Sequence, residues 1–308
     1  MKKYLFQISA IAISIFYNIN IAFPQTVGFL EFSQDARTLS LGGINLILSP
    51  DAYSIFNNTA TSAFSEDHMA VSAIYSSWLP KTSDNTILGA SGFMKLGQKI
   101  AVDFGFRDVG FQSYQMTDDN GNISGTFTPT EYSIGIGMAY QLASGFATSL
   151  NLNYISSDMG AKVAKAVSAD LGFIYKIKKI NIGLKVSNLG SKIDYGYNAY
   201  SLPASIQLGA GSSFEMNAQN TITASLNTGY FLHNSSVFAG CGVEYSYNNL
   251  ISLRTGFHYG DKTKGIPPFL SSGLGLHYKG ITFDFAYLFA GNDSSVKSSF
   301  SAGLGYKF

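Results

Sequence analysis

The sequence predicts an all-β chain: a fourteen-stranded antiparallel transmembrane β-barrel with a short N-terminal plug or hatch. Three observations carry this reading. From His68 onward the chain breaks into fourteen segments of alternating apolar and small or polar residues. Their connections alternate between tight turns and longer stretches rich in Gly, Asp, Asn, Ser or Pro. Charged residues make up only 13% of the chain against 14% aromatics and 32 glycines, whereas a soluble domain carries roughly 25% charged residues.

Residues 1–25 read as a secretory signal: Lys2 and Lys3, an apolar run through Ile8, Ile11, Ile13, Ile15 and Phe16, then small or turn residues from Ala22 to Gln25. Its removal, with strands throughout the remainder, points to the outer membrane of a double-membraned bacterium. No cysteine follows the run, so a lipid anchor is not indicated, and no later stretch reaches the roughly 18 uninterrupted apolar residues of a spanning helix.

Residues 26–66 do not alternate. In F-L-E-F-S-Q-D-A-R-T-L-S-L-G-G, Asp35 or Ser33 is placed to cap a short helix that carries Arg37 and that Gly42 and Gly43 stop. S-P-D-A-Y-S-I-F-N-N-T-A follows, with Asn58 near its end. The segment reads as a hatch inside the barrel mouth, or alternatively as a periplasmic lead-in.

The barrel occupies 67–308, with strands expected near 68–79, 84–95, 98–109, 130–142, 146–158, 164–178, 180–190, 202–215, 219–232, 236–247, 250–260, 270–279, 281–291 and 296–308. Parity gives each strand a greasy outer face facing membrane lipid, such as Ile100, Val102, Phe104 and Phe106, or Ile281, Phe283, Phe285, Tyr287 and Phe289. Cys241 falls on that face and, as the single cysteine, permits no internal disulfide. The opposite parity puts Asp103, Arg107, Asp170, Lys185, Glu244, Arg254, His258, His277 and Asp284 in the lumen. Both signs are present, so a paired network is expected and not a single-sign ion filter. A three-residue turn at Asn248 sets Glu244 across from Arg254. The last strand ends S-F-S-A-G-L-G-Y-K-F, and Ser301, Gly303, Tyr306 and Phe308 resemble the signal by which the barrel assembly machinery recognises outer-membrane barrels.

Enzymatic chemistry finds little support. There is no G-x-S-x-G. A serine with His258 or His277 and Asp284 can be drawn as a triad, but serines are too common for that to select it, and a lumen hydrogen-bond role suits both histidines better. No His, Asp or Glu pair recurs at metal-ligand spacing, and Asp118 to Asn122 lacks the spaced acids and closing Glu of a calcium loop. No cofactor or metal is expected. A net charge of +1 offers no pull towards nucleic acid.

F-L-E-F-S-Q-D-A-R, L-G-G and S-P-D-A-Y-S-I-F-N-N-T-A, followed by P-T-E-Y-S-I-G-I-G-M-A-Y (129–140), Y-I-S-S-D-M (154–159), V-E-Y-S-Y-N-N-L-I-S-L-R-T-G-F (243–257) and D-F-A-Y-L (284–288), resemble the PorV/PorQ family of Bacteroidetes outer-membrane proteins. That family is itself similar to FadL-type fourteen-stranded barrels, and the PorV branch matches better. The resemblance implies a non-enzymatic component of the type IX secretion system. Such a barrel takes secreted cargo carrying C-terminal signal domains from the translocon and passes it to a sortase-like surface peptidase. Where the family has Asn-Pro-Ala, this chain has Asn58, Thr59 and Ala60, which removes the turn that proline enforces. The alternative is a FadL-like transporter of hydrophobic small molecules, which requires an apolar lumen pocket where parity places mainly Gly, Ser, Asn and charges.

Overall fold

The computed structural model describes residues 27–32, 34–80, 83–118, 120–160, 162–196 and 198–308. The expected signal segment and Ser33, the alternative helix cap, lie outside them.

Fourteen strands close into one barrel in which every strand pairs antiparallel with its sequence neighbours. They are β1 (Met69–Trp78), β2 (Asn85–Leu96), β3 (Ile100–Gly110), β4 (Thr130–Ala143), β5 (Phe146–Asp158), β6 (Val163–Ile177), β7 (Ile180–Gly190), β8 (Ser205–Asn217), β9 (Asn220–Phe231), β10 (Ser236–Tyr247), β11 (Ile251–Gly260), β12 (Phe269–Tyr278), β13 (Ile281–Phe289) and β14 (Phe300–Lys307). The first and last strands pair from Ala70↔Lys307 to Ser77↔Phe300, so no edge is left. Closure is what lets apolar side chains face lipid while every backbone group is paired. Phe104, Ile136 and Leu304 are accordingly exposed on the outer face.

Two strands begin later than the alternation suggests. β8 starts at Ser205 and not near 202, because Pro203 has no N–H for the ladder and Ala204 N–H donates locally to Leu202 O (2.7 Å). β14 starts at Phe300, because Ser299 N–H turns back on Val296 O (3.2 Å).

One rim of the barrel carries tight turns. At Lys279-Gly280 both residues have positive φ (49° and 83°), the backbone a two-residue hairpin requires. The other rim carries the long loops. A small hairpin of Tyr114–Thr117 with Ile123–Phe127 stands there, with a second of Ile193–Asp194 with Ala199–Tyr200.

Residues 27–32 and 34–65 run through the barrel from the loop end to the turn end. A 3-10 turn (Gly28–Leu30) lies at the loop end. The helix α1 (Ala36–Ser40) follows, capped by Asp35, whose carboxylate accepts Thr38 N–H at 2.8 Å. Gly42 and Gly43, with φ of 74° and 81°, end it. A further 3-10 stretch (Thr59–Phe64) starts at Asn58, whose side chain caps it by accepting Ala60 N–H (3.3 Å). At the turn end Lys95 Nζ donates to Ala63 O (2.5 Å).

The wall is thinned where this segment crosses it. A Cβ built on Gly256 would lie 2.2 Å from both Gly42 N and Leu41 C, and one on Gly242 would lie 2.6 Å from Leu41 O. Hatch backbone therefore lies directly on strand backbone, with no side chain between them.

Candidate functional site

The residues that the sequence places in the lumen divide into separate groups, each tying the hatch to a different part of the wall. The largest joins α1 to β10, β11 and β13. Glu244 and Arg254 are direct cross-strand partners, as the three-residue turn predicts, with Arg254 Nε 2.5 Å from Glu244 Oε2. Arg254 Nη1 also donates to Asp284 Oδ1. From the hatch, Arg37 Nη1 reaches Asp51 Oδ2 (3.2 Å) and Ser49 O (3.0 Å), and its Nε lies 3.6 Å from Glu244. Burial works against the Arg37 charge, but Glu244, Asp51 and Asp284 hold the guanidinium above its ordinary range. His277 lines the same turn-end cavity, beside Asp284 and Lys307.

His258 stands apart from this group. Its Nδ1 donates to Gly42 O (3.1 Å), and its ring is stacked on Phe269 at 4.8 Å and lies near Phe238 and Phe32. Its surroundings are aromatic and its hydrogen bond holds the Gly42-Gly43 turn, so it forms no pair with Asp284. Gly42 N–H donates to Ser271 Oγ (3.1 Å), fixing the turn from the next strand.

On the opposite wall, Asp103 accepts Ser62 Oγ on both oxygens (2.9 and 2.8 Å). Asp170 sits at a β-bulge: Ala169 pairs with Leu189 and Leu171 with Val186, leaving Asn188 at φ 57°. Asp170 Oδ1 accepts Asn188 N–H at 2.7 Å, and Lys185 Nζ, 4.0 Å from Asp170, donates to Phe56 O (2.9 Å). Arg107 is held by the hatch without a carboxylate among the described residues. Its guanidinium lies over the Phe56 ring at 4.3 Å and the Phe29 ring at 5.5 Å, and it donates to Gln34 Oε1 (3.3 Å). Asn58 Nδ2 donates to Leu46 O and to Phe173 O. The paired network expected from composition is thus several local clasps, with Arg107 and His258 held by rings and carbonyls.

In the closing strand, Ser301 Oγ donates to Gln34 O (2.7 Å), so this position also touches the hatch. Gly303 lies beside Ile74, and Tyr306 packs edge-on to Phe308 at 4.6 Å. Phe308 is exposed on the outer face, and its N–H donates to Met69 O.

Two regions lie outside the sequence reading. Two cavities beside the hatch, one lined by Arg37 and His277 and the other by Arg107 and Lys185, have only about 30 Å³ each, space for about one water. The loop end is different: a bowl of about 420 Å³ is lined by Phe29 and Phe32 of the hatch with Trp78, Ile87, Val109, Phe111, Met159 and Val296. The hatch packs on apolar wall at both ends: its apolar first turn meets the bowl at the loop end, and Leu46, Ala60 and Ala63 are buried with Ala101, Ala139 and Ile174 towards the turn end. Glu131, also missed, lines this bowl. At the rim, Asp118 takes Asn122 and Asn120 N–H groups, and these bonds, Asn122's first, hold its carboxyl below the usual range. That is the turn of a hairpin.

The arrangement offers clasps and a shaped mouth. Solved structures of similar fold include the Ralstonia pickettii toluene transporter TbuX, at a TM-score of 0.65 and 15% identity over 91% of this chain and 99% of that one. The Pseudomonas putida toluene transporter TodX follows at 0.62 and 15%, over 90% and 98%. A Pseudomonas aeruginosa FadL homologue has a TM-score of 0.52 and 12% identity, over 89% and 98%. At these identities the likeness is one of fold. No curated protein sequence matches the chain. The family described as type IX secretion system protein PorV matches residues 18–235, well over half of the sequence, and the chain belongs to the PorV family.

Proposed function

We propose that this barrel binds secreted cargo proteins through their C-terminal signal domains at its loop end and shuttles them from the translocon to a sortase-like peptidase at the cell surface. Family and fold are those of transport barrels and not of enzymes. An all-β barrel with an apolar exterior fits an outer-membrane protein; signal cleavage near residue 25, barrel assembly through the C-terminal strand and the division at about residue 66 belong to the proposal. The observation that carries it is the hatch. It fills the lumen, lies directly on strand backbone at Gly256 and leaves cavities of only about 30 Å³ beside it. A sealed barrel works by what it holds at its rim, where the hairpin of Tyr114–Thr117 with Ile123–Phe127 stands.

The apolar bowl favours a second reading, a transporter of hydrophobic small molecules, which requires the hatch to move. The test is crosslinked affinity purification from the native outer membrane, with the full chain and with residues 114–127 replaced by a short Gly-Ser turn. The shuttle reading expects signal-domain cargo with the full chain, lost on shortening while the barrel stays folded. Recovery of the barrel with bound lipid or fatty acid alone would overturn it in favour of the transporter.

A further inference from the structure

We propose that the loop-end bowl is a pocket for a lysine side chain presented by a partner protein; this rests on the reading of the barrel as a protein-binding scaffold and names the chemistry its rim would recognise. The central residue is Glu131. It is the second residue of β4, faces inward, and is only 5% exposed. Its Oε1 accepts Ser157 Oγ at 2.8 Å, and Ser157 Oγ in turn accepts the Tyr195 hydroxyl at 2.8 Å. Oε2 has no hydrogen-bond or ionic partner among the described residues, and Glu131 lines the bowl. A carboxylate in apolar surroundings is unfavourable unless a donor meets it. The relay from Tyr195 fixes the carboxylate orientation and leaves one oxygen for an incoming group.

The rest of the bowl sets the shape of that group. Its walls are mainly apolar and aromatic, with Trp78 tilted against Phe32 at 5.8 Å, and the buried Asn85 Oδ1 adds a second unpaired acceptor for an incoming donor. A long apolar stem ending in a compact cation matches such a wall with a single carboxylate oxygen, and the indole face adds attraction for the cation. Lysine has this form. An acidic or purely aliphatic ligand leaves the Glu131 oxygen unpaired. The hatch closes the bowl from below, with its Gln34 carbonyl tied to Ser301 and its Gln34 amide to Phe29 O. An occupant therefore has no onward path, as expected of a docking pocket and not of a channel entrance.

Trp78 is the single tryptophan of the chain, so intrinsic fluorescence reports on the bowl directly. The full chain in lipid nanodiscs is titrated with the peptide acetyl-Phe-Lys-Phe-amide, with the same peptide carrying norleucine for lysine, and with n-butylamine. The lysine peptide should shift Trp78 emission saturably and bind about tenfold more tightly than the norleucine peptide, as pairing a buried charge implies. E131Q, which keeps the shape and removes the charge, should bring the two peptides within about twofold of each other. The proposal is overturned if the norleucine peptide binds as well as the lysine peptide, if the lysine preference survives in E131Q, or if no saturable shift occurs. n-Butylamine matching the lysine peptide would overturn the protein source and assign the pocket to free amines. The comparison of peptides on the unaltered chain needs no variant to fold. Cargo lost on shortening 114–127 with no lysine preference would sink the pocket alone, whereas absence of cargo with a lysine preference intact would sink the shuttle reading.

Discussion

Adding one methyl group at Gly256 should release the hatch. A Cβ there lies 2.2 Å from Gly42 N and from Leu41 C, and these are backbone atoms that cannot rotate aside. Restoring ordinary contact near 3.5 to 4 Å requires the hatch to withdraw by more than about 1 Å. That movement stretches the Gly42 N–H bond to Ser271 and the His258 bond to Gly42 O, both 3.1 Å in the intact structure. Overpacking costs about 1 to 3 kcal/mol and two lost hydrogen bonds about 1 kcal/mol each, so Gly256→Ala should weaken this contact by roughly 3 to 5 kcal/mol. At 1.4 kcal/mol per tenfold, amide exchange over residues 38–45 should quicken by roughly two to four orders of magnitude. Hydrogen exchange read by mass spectrometry measures this directly, and heat-modifiable gel migration checks that the barrel is closed. Gly42→Ala, whose Cβ meets Phe257 O at 2.5 Å from the other side of the contact, should act in the same direction. Gly125→Ala, which meets nothing within 4 Å, should change nothing. A folded Gly256→Ala barrel with unchanged exchange over 38–45 would refute the idea that bare backbone contact holds the hatch.

Arg254→Met should leave Glu244 and Asp284 short of their shared cation and cost about 3 to 5 kcal/mol, read as a lower urea midpoint, while Lys162→Met, which breaks the solvent-exposed pair with Asp194, should leave the midpoint unmoved. Ser62→Ala should cost about 1 to 3 kcal/mol by depriving the buried Asp103 of its hydroxyl donor, and Asp103→Val in the same chain should restore much of it. Removing residues 34–65 should turn a barrel that passes no steady current in a planar bilayer into one that conducts; steady current from the full chain would contradict the sealed lumen. Deleting Phe308 should lower the yield of heat-modifiable barrel in the outer membrane without changing the stability of the fraction that assembles.

The barrel was legible because its two solvents impose a period of two on every strand. Lipid on one side and hatch or water on the other force Ile281, Phe283 and Phe285 out and Thr282 and Asp284 in, and the eye needs no alignment to follow that. The helix cap at Asp35 and its stop at Gly42-Gly43 are equally local. What the sequence hides is the path of the hatch. Glu244 and Arg254 could be paired in advance because a three-residue turn sets their register, whereas Ser62 meets Asp103 across 41 positions, and Ser301 meets Gln34 across 267. Glu131 was invisible for a related reason. Its neighbours on the inner face, Val109 and Ile87, look like ordinary strand residues until the apolar start of the hatch is laid against them.

The glycines join these two scales. Read as composition, they suggest staves that bend; set against the hatch, several inward ones are the places where its backbone touches the wall. A side chain at such a position would stand the hatch off the strands and open a seam beside it. The same contacts that seal the lumen also make opening costly, because Gly42 cannot leave Gly256 without breaking the bonds to Ser271 and His258. A transporter would need a hatch held by fewer or weaker contacts, concentrated near one hinge. Here they are spread over both walls, from Phe29 beneath Arg107 near the loop end to Phe64 beneath Lys176 at the turn end. That distribution favours a barrel whose interior is a scaffold and whose loop-end rim, with Glu131 in its bowl, is the working surface.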